Sequence, residues 1–301
     1  MSQIPFALYL TEIIRSKKTP AMVGIDPALD LSEYPSEVRG SAGSTTVAVV
    51  EDFCSRIIEM ASKRVAVVKF QMAFFEALGI RGLSALRRLA RQAGLSGLCV
   101  IYDGKRNDIG NTAAAYAHGY LGPIGPNGWR CNAITVNPYL GDEGLSPFVE
   151  CAQEYGGGIF VLVRTSNPGA GKLQDALVDG RPVYSIVADW VREAAERTKG
   201  DSKYSPVGAV VGATVPQQLA DLRKQLSSSI LLIPGYGAQG GTAKDCTAAF
   251  DENGLGAIVN NSRGILYAWK KPEYAGMHWL DASRAALDKM IDEFKAVAPI
   301  K

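Results

Sequence analysis

The stretch CVIYDGKRNDIGNT, Cys99 to Thr112, joins an apolar run to a dense cluster of charge. Its first four residues are typical of a buried β-strand. The charged residues that follow within six positions are Asp103, Lys105, Arg106 and Asp108. From Asp108 onward the sequence DIGNTAAAYA predicts a helix, with Asp108 as its N-cap or first-turn acid. The stretch therefore predicts one strand–loop–helix unit.

Seven further apolar runs repeat this pattern along the chain. The eight runs are AMVGID (21–26), VAVVKFQ (65–71), GLCVIYD (97–103), NAITVNP (132–138), GIFVLVRTS (158–166), VGAVVGAT (207–214), SILLIPG (229–235) and GAIVNNS (256–262). Their nearly continuous apolar character is typical of parallel strands buried on both faces. Segments with helical apolar spacing lie between them, at 46–64, 82–94, 145–156 and 183–199. This alternation favours a closed (β/α)8 barrel over an open doubly wound sheet.

The domain organisation follows from length and linkers. The chain has 301 residues and no stretch rich in Pro, Gly and Ser that would divide it, so we expect a single (β/α)8 domain over residues 1–301. A helix at 6–17 is expected as an N-terminal extension of the barrel. The segment 163–182 is long for a strand–helix connection, which favours a binding loop or lid.

Composition excludes several classes of function. A net charge of +2 without a long basic run argues against a nucleic-acid partner. No stretch approaches the ~20 apolar residues of a membrane span, and Glu12 interrupts the apolar N-terminal run, which makes it a poor signal peptide. The five cysteines show no metal-binding spacing, so we expect buried thiols, no metal site and a reducing, cytoplasmic location.

The barrel prediction also locates the chemistry. Active sites in this fold lie at the C-terminal ends of the strands. The polar residues that end the apolar runs are Asp26, Lys69, Asp103, Lys105, Asn137, Ser166, Thr214, Gln239 and Arg263.

The charges around Lys105 admit two interpretations. One is a surface salt bridge followed by a helix cap. The other is a pocket, because Lys69 and Asp26 end the two preceding strands and such interleaved charges are costly unless paired. Carboxylates on both sides of Lys105 favour its ammonium form, although the positive charge of Lys69 favours the neutral amine. An ammonium group serves as a proton donor or as a charge facing a carbanion, and not as an imine former.

Several segments of the chain resemble the orotidine 5′-phosphate decarboxylase family. DGKRNDIGNT is similar to the family's DxKxxD signature, and VGIDP, VKFQMAFFE, VLVRTSNPGA, LIPGYGAQGG and IVNNSRGILYA occur in the family's order. The resemblance extends over residues 23–267 and is to the longer bacterial branch. Phe70, Asn107 and Gly264 depart from the residues frequent there, Pro, Gly and Ser, and none of these departures removes a charge.

The resemblance implies a carboxy-lyase that converts orotidine 5′-monophosphate (OMP) to UMP without a metal or cofactor. It assigns Lys105 to stabilisation and protonation of C6 of the pyrimidine as carbon dioxide leaves. Asp103 is expected near the departing carboxylate. Lys69 and Asp26 are expected to bind the ribose hydroxyls and to complete the charge network.

The resemblance also implies a homodimer with shared sites. Asp108 and Thr112 are expected to reach the ribose in the partner subunit's site. Independently of the resemblance, their i, i+4 spacing predicts that they share one helical face in their own chain. Ser166 is expected to hydrogen-bond the pyrimidine edge. Arg106 gains no role and is interpreted as a structural or solvent-facing charge.

The glycine-rich stretch GYGAQG, Gly235 to Gly240, matches the dinucleotide-binding pattern G-x-G-x-x-G. Pro234 precedes it and no acidic residue ends the next apolar run, so we reject a dinucleotide fold. A single phosphate suits the loop better, and TAKD (242–245) resembles a capping box opening the next helix. Barrel phosphate sites use the loops after the seventh and eighth strands, which supply Gln239 and Arg263. The resemblance assigns both to the 5′-phosphate, whereas Arg263 alone also fits an exposed helix start.

Two rival functions remain open. A Mg²⁺-dependent lyase acting on a sugar phosphate is similar in its DxKxxD motif, but is expected to carry a metal-binding Glu where this chain has Lys69. A nucleotide binder without turnover would have little use for the lysine–aspartate network. The two histidines, His118 and His278, are expected to be structural or exposed.

Overall fold

The computed structural model describes residues 4–41, 45–123 and 131–301. In chain order its strands are β1 (Ala21–Ile25), β2 (Val67–Gln71), β3 (Cys99–Arg106), β4 (Ala133–Val136), β5 (Gly158–Arg164), β6 (Leu177–Val178), β7 (Arg181–Pro182), β8 (Val207–Val211), β9 (Leu231–Ile233) and β10 (Ala257–Asn261). Within the described ranges, β1–β5 and β8–β10 form a closed parallel barrel in which β10 pairs with β1, and β6 and β7 form a small antiparallel hairpin. The (β/α)8 prediction is confirmed: each predicted run contributes one barrel strand, and β3 continues beyond its run to Arg106.

Helices alternate with the barrel strands. They are α1 (Phe6–Lys17), α2 (Ser36–Ser41), α3 (Thr46–Ser62), α4 (Met72–Glu76), α5 (Gly79–Leu95), α6 (Gly110–Leu121), α7 (Ser146–Tyr155), α8 (Gly171–Gln174), α9 (Val183–Thr198), α10 (Pro216–Gln225), α11 (Arg263–Leu266) and α12 (Trp279–Val297). Short 3₁₀ turns lie at Leu31–Glu33, Asp142–Gly144, Lys244–Ala249, Ala268–Lys270 and Pro272–Tyr274. In the part of the chain that is described, no helix has the length and apolar character needed to cross a membrane. The assignment of residues 1–301 to one domain stays a prediction.

Helix α1 closes one end of the barrel, as expected of an N-terminal extension. Its Phe6, Leu10 and Ile14 are buried in a cluster with residues of the barrel strands. Phe6 packs edge-on against Phe160 with 6.1 Å between ring centroids. It also lies so close to Gly158 that a Cβ there would meet its ring at 2.2 Å. Because this end is filled by apolar side chains, the polar strand ends at the opposite face are left to form the cavity.

The five cysteines are buried, as predicted. Cys99 lies within the cluster that α1 covers, and Cys54 lies in the layer between the barrel and its helices. Burial raises the pKa of the Cys246 thiol to about 12, so this group stays protonated at neutral pH.

Strand β3 departs from regular geometry where its charges begin. Tyr102 is in register with Ile134 of β4, but the next matched pair is Arg106 with Val136, so β3 uses four residue steps where β4 uses two. Lys105 lies in this irregular stretch with φ of 46°. The backbone of a residue that has a Cβ is strained in that left-handed region.

The start of the following helix differs from the sequence-based expectation. Helix α6 begins at Gly110, and its N-cap is Ile109, which provides no side-chain cap. Asp108 therefore lies outside the helix and does not share a helical face with Thr112; its Oδ1 accepts a hydrogen bond from the neighbouring Ile109 N–H at 2.9 Å. The prediction of Asp108 as N-cap or first-turn acid was wrong, because the chain stays extended through Ile109 before it turns.

The left-handed conformation of Lys105 yields a stability prediction. We expect Lys105→Gly to have a free energy of unfolding about 0.5–1 kcal/mol higher than Lys105→Ala, because glycine adopts positive φ without steric cost. Chemical denaturation of the two variants measures the difference. At Arg106, which is not among the positive-φ residues, the same Gly–Ala comparison should have the opposite sign. A Lys105→Ala variant as stable as Lys105→Gly would contradict the prediction.

Candidate active site

A cavity of about 460 Å³ lies at the C-terminal ends of the barrel strands. Seven of the side chains predicted from strand ends line it: Asp26, Lys69, Asp103, Lys105, Ser166, Gln239 and Arg263. The first four come together because β1, β2 and β3 are consecutive neighbours, with Gly24 beside Lys69 and Gln71 beside Asp103. The chain's order of strands thus turns residues far apart in sequence into one wall of the cavity.

The four charged residues on this wall alternate in sign. Lys69 Nζ lies 3.0 Å from Asp103 Oδ2 and 3.8 Å from Asp26 Oδ1. Lys105 Nζ lies 2.6 Å from Asp103 Oδ1. The charges therefore form a continuous network inside a pocket, and the interpretation of a surface salt bridge with a helix cap is wrong.

Asp103 is the centre of this network. Among the described residues, four groups donate hydrogen bonds to its carboxylate: Lys105 Nζ and Thr135 Oγ1 to Oδ1, and Lys69 Nζ and Gln71 Nε2 to Oδ2. Their lengths run from 2.6 to 3.0 Å. Each oxygen thus accepts two bonds, which fixes the carboxylate in one orientation.

Opposing effects set the ionisation of the buried pair. Burial acts to raise the pKa of Asp103, but the charges of Lys69 and Lys105 outweigh it and hold that pKa well below the usual range. Burial acts to lower the pKa of Lys69, but the charges of Asp103 and Asp26 raise it above the ordinary value. Both groups are therefore charged at neutral pH.

The two lysines differ in the solvent exposure of their side chains. The side chain of Lys69 is 4% exposed, whereas that of Lys105 is 45% exposed. A molecule in the cavity can consequently contact the ammonium group of Lys105 directly, whereas the largely buried ammonium group of Lys69 contacts Asp103. The Lys105 ammonium is thus suited to donate a proton or to face a developing negative charge.

Asp26 keeps an acceptor available. Its Oδ1 is buried and has no hydrogen-bond partner within the described residues, since 3.8 Å to Lys69 Nζ exceeds hydrogen-bond length. Unsatisfied buried acceptors are rare in folded proteins. This oxygen is therefore suited to accept a hydroxyl donor from a ligand.

Sequence reasoning missed two members of the network, Gln71 and Thr135. Gln71 follows Lys69 by two residues in β2, so the period of a strand places both on one face. That spacing could have identified it. Thr135 gave no such signal, because threonine in the run AITV is an ordinary strand former. Only the pairing of β3 with β4 places its hydroxyl against Asp103.

The opposite wall of the cavity is built around the glycine-rich loop. Gly235 has φ of 94°, and a Cβ there would lie 3.0 Å from Gln239 Oε1 and 3.1 Å from Ser166 Cβ. Glycine therefore allows the loop after β9 to approach the loop after β5. Arg263, at the start of α11, completes this wall, so the loops after the seventh and eighth barrel strands line the cavity as predicted.

The predicted capping box of this loop is present. Thr242 N–H donates to Asp245 Oδ2 at 2.8 Å, and Asp245 N–H donates to Thr242 Oγ1 at 3.3 Å. The element that it opens is a 3₁₀ helix, Lys244–Ala249. The long segment after β5 also reaches the cavity, through Thr165, Ser166 and Gln174 among others.

Two strand-end candidates do not line the cavity. Asn137 Oδ1 accepts the N–H of Tyr139 at 3.0 Å, which makes it a turn residue. Thr214 is exposed, and its hydroxyl lies 3.5 Å from the carbonyl oxygen of Ser166. Both side chains hold loops at the rim.

Asp108 and Thr112 also lie outside this chain's cavity lining, near the exposed side chain of Ile109. Arg106 faces away from the network: it is paired with Glu76 and donates to the Tyr120 hydroxyl at 3.2 Å. The interpretation of Arg106 as a structural charge is confirmed.

The histidines lie away from the cavity. His118 is in α6 and contacts Tyr155, while His278 caps α12 and lies 2.9 Å from Glu37. Within the residues that the structure describes, no group of three or more His, Cys, Asp or Glu side chains is placed to hold a metal ion.

Comparison with known proteins places the chain among relatives of similar length. The family model described as "Orotidine 5'-phosphate decarboxylase / HUMPS family" matches residues 23–297. An orotidine 5′-phosphate decarboxylase of Rhodopirellula baltica is 46% identical over 300 residues, covering 96% of this chain and 99% of the relative. One of Deinococcus radiodurans is 43% identical over 263 residues, covering 87% and 89%.

A solved structure agrees with these relatives. The crystal structure of a putative orotidine 5′-phosphate decarboxylase from Streptomyces avermitilis superposes with a TM-score of 0.80 at 34% identity, covering 99% of this chain and 97% of that one. The charged wall, the glycine-rich loop and these similarities lead to one conclusion: the chain belongs to the orotidine 5′-phosphate decarboxylase / HUMPS family.

Proposed function

We propose that this chain is a carboxy-lyase that decarboxylates OMP to UMP, the last step of de novo pyrimidine nucleotide synthesis. The observation that carries the proposal is the network of Lys69, Asp103 and Lys105, which presents one exposed ammonium group to a cavity of nucleotide-binding size. The relatives named as orotidine 5′-phosphate decarboxylases support it.

The chemistry assigned to Lys105 is electrostatic stabilisation followed by proton transfer. When the bond between C6 and the carboxylate carbon breaks, carbon dioxide leaves and the electron pair stays on C6. The ammonium of Lys105 stabilises that charge and then donates a proton to C6, and the resulting amine regains its proton from solvent. Electrostatic stabilisation of this kind acts strongly in a pocket that excludes water.

Asp103 serves this step by orienting Lys105. Its carboxylate lies 2.6 Å from the Lys105 ammonium and is held by three other donors. Because two ammonium groups neutralise its charge, we assign the main effect to stabilisation of the transition state by Lys105. Repulsion between Asp103 and the departing carboxylate is the lesser contribution.

The remaining cavity residues are assigned to binding. Asp26, with its unpartnered oxygen, and Lys69 suit the ribose hydroxyls, and Ser166 suits the pyrimidine edge. Gln239 and Arg263 suit the 5′-phosphate. Binding energy from a phosphate remote from C6 can drive closure of the loops and exclusion of water.

We further propose a homodimer in which Asp108 and Thr112 complete the partner subunit's site. In support, Ile109 between them is 51% exposed, and Tyr139 and Leu140 nearby in the chain's next strand-end loop are 75% and 45% exposed. Exposed apolar side chains of this size suit an interface between subunits.

The proposed reaction uses only groups of the chain, because Lys105 supplies both the positive charge and the proton. A Mg²⁺-dependent lyase is disfavoured by the buried ammonium of Lys69, which repels a cation at that position. The buried cysteines suit a reducing compartment, and we place the enzyme in the cytoplasm.

Turnover without metal tests the proposed function. Purified protein incubated with OMP and excess EDTA should convert OMP to UMP at the rate seen without EDTA. The decrease in absorbance of the orotate ring measures this rate. Conversion that requires added Mg²⁺ would support the sugar-phosphate lyase class instead. Binding of OMP without conversion would identify a nucleotide binder.

Lys105→Ala tests the catalytic group. We expect kcat/KM to fall by at least ~10³-fold, the scale of acid–base and electrostatic contributions, while the fold survives because Lys105 is half-exposed. Steady-state kinetics and circular dichroism measure the two effects. Lys295→Ala, which removes an exposed lysine far from the cavity, is the matched control. Near-normal activity of Lys105→Ala would refute the assigned role.

Mixing two inactive variants tests the shared site. After Lys105→Ala and Asp108→Ala chains are unfolded together and refolded, mixed dimers contain one site with both residues intact. Random pairing should restore roughly a quarter of the wild-type activity. Two Lys105→Ala preparations treated alike give the background, and absence of restoration would count against Asp108 acting across a dimer.

A further inference from the structure

The backbone of Lys105 is strained at an unusual place. Among the described residues other than glycine, positive φ occurs at Lys18, Lys105 and Asp179. Lys18 is the C-cap of α1, and Asp179 lies in the turn of the β6–β7 hairpin, both common positions for this conformation. Lys105 instead lies inside a barrel strand, so the surrounding structure must hold it there.

The hydroxyl of Thr135 contacts this strained backbone directly. The β3–β4 register breaks between Tyr102 and Arg106, and the N–H of Lys105 donates to Thr135 Oγ1 at 2.9 Å. The same Oγ1 donates to Asp103 Oδ1 at 2.9 Å. One hydroxyl thus binds the backbone of Lys105 and the carboxylate that orients its ammonium.

The choice of residue at this position is informative. Thr135 is 1% exposed, and the other residues of β4 are Ala133, Ile134 and Val136, all fully buried and apolar. Valine has the same shape and would fill the same space with a higher preference for buried strands. A hydroxyl is therefore needed here for its hydrogen bonds and not for packing.

We propose that Thr135 is a positioning residue that holds Lys105 in its left-handed backbone conformation and thereby aims the ammonium group at the reacting carbon. This inference rests on the proposed function, because it assigns to Lys105 the proton transfer described above. Without the hydroxyl, the Lys105 N–H loses its partner and the backbone relaxes toward negative φ. The ammonium then moves away from the position that both Asp103 and the substrate require.

Thr135→Val tests the proposal. It should lower kcat for OMP by about 10- to 100-fold with little change in KM, because displacement of a reacting group by about 1 Å costs this much while the binding contacts remain. Thr135→Ser keeps the hydroxyl and should restore most of the lost kcat. The crystal structure of Thr135→Val should show Lys105 at negative φ.

Thr19→Val is the matched control. Thr19 is also 1% exposed, and its hydroxyl accepts the N–H of Ala21 at 3.2 Å, at the opposite end of the barrel. Its loss removes a comparable buried hydrogen bond without touching the cavity, so kcat should stay at the wild-type value. If Thr135→Val does not fold, the comparison of Thr135→Ala with Thr135→Ser replaces it.

Two kinetic results would overturn the proposal. One is a Thr135→Val kcat within about twofold of wild type, and the other is an equal loss of kcat in the valine and serine variants, which would indicate packing. A lower kcat with Lys105 still at positive φ would also contradict it. Failure of the wild-type chain to convert OMP is a separate outcome, since it would reject the proposed function. The crystal structure of Thr135→Val would still test the predicted change of φ at Lys105.

Discussion

The buried ion pair between Lys69 and Asp103 constrains the rest of the site. Removing two charges from water is expensive, and a buried pair is tolerated only when its remaining hydrogen-bonding capacity is satisfied. Asp103 meets this requirement through Lys105, Gln71 and Thr135 in addition to Lys69. Loss of any of these donors would leave part of a buried charge uncompensated, which is why four residues from three adjacent strands act as one unit.

The two lysines around Asp103 differ in burial and therefore in function. Lys69 is buried, and its charge helps to keep Asp103 ionised and in place. Lys105 is half-exposed and faces the cavity, so its charge is available to a ligand. A single exposed ammonium, oriented by a fixed carboxylate, is preorganised for a reaction in which negative charge develops on one carbon. In our proposal, the strained backbone at Lys105 is part of this preorganisation.

Much of the site could be predicted because a parallel barrel converts sequence order into spatial order. Asp26, Lys69 and Asp103 end consecutive strands, so their proximity follows from the count of strands alone. The start of α6 could not be predicted as well: Asp108 has the composition of a helix cap, but the local chain stays extended for one more residue. Local propensity is a weak guide at such junctions, where tertiary contacts set the path of the backbone.

The sequence by itself determined the eight-stranded barrel, the face that carries the chemistry and the charged residues on it, because apolar periodicity and strand order are properties of the chain. Only the tertiary structure decided the contacts of Thr135 and the conformation of Lys105. Both lie at a register break between β3 and β4, where residues about thirty positions apart form hydrogen bonds. No local sequence pattern predicts such a pairing, because a threonine in a strand looks the same in the sequence whether or not its hydroxyl forms a hydrogen bond with a neighbouring strand.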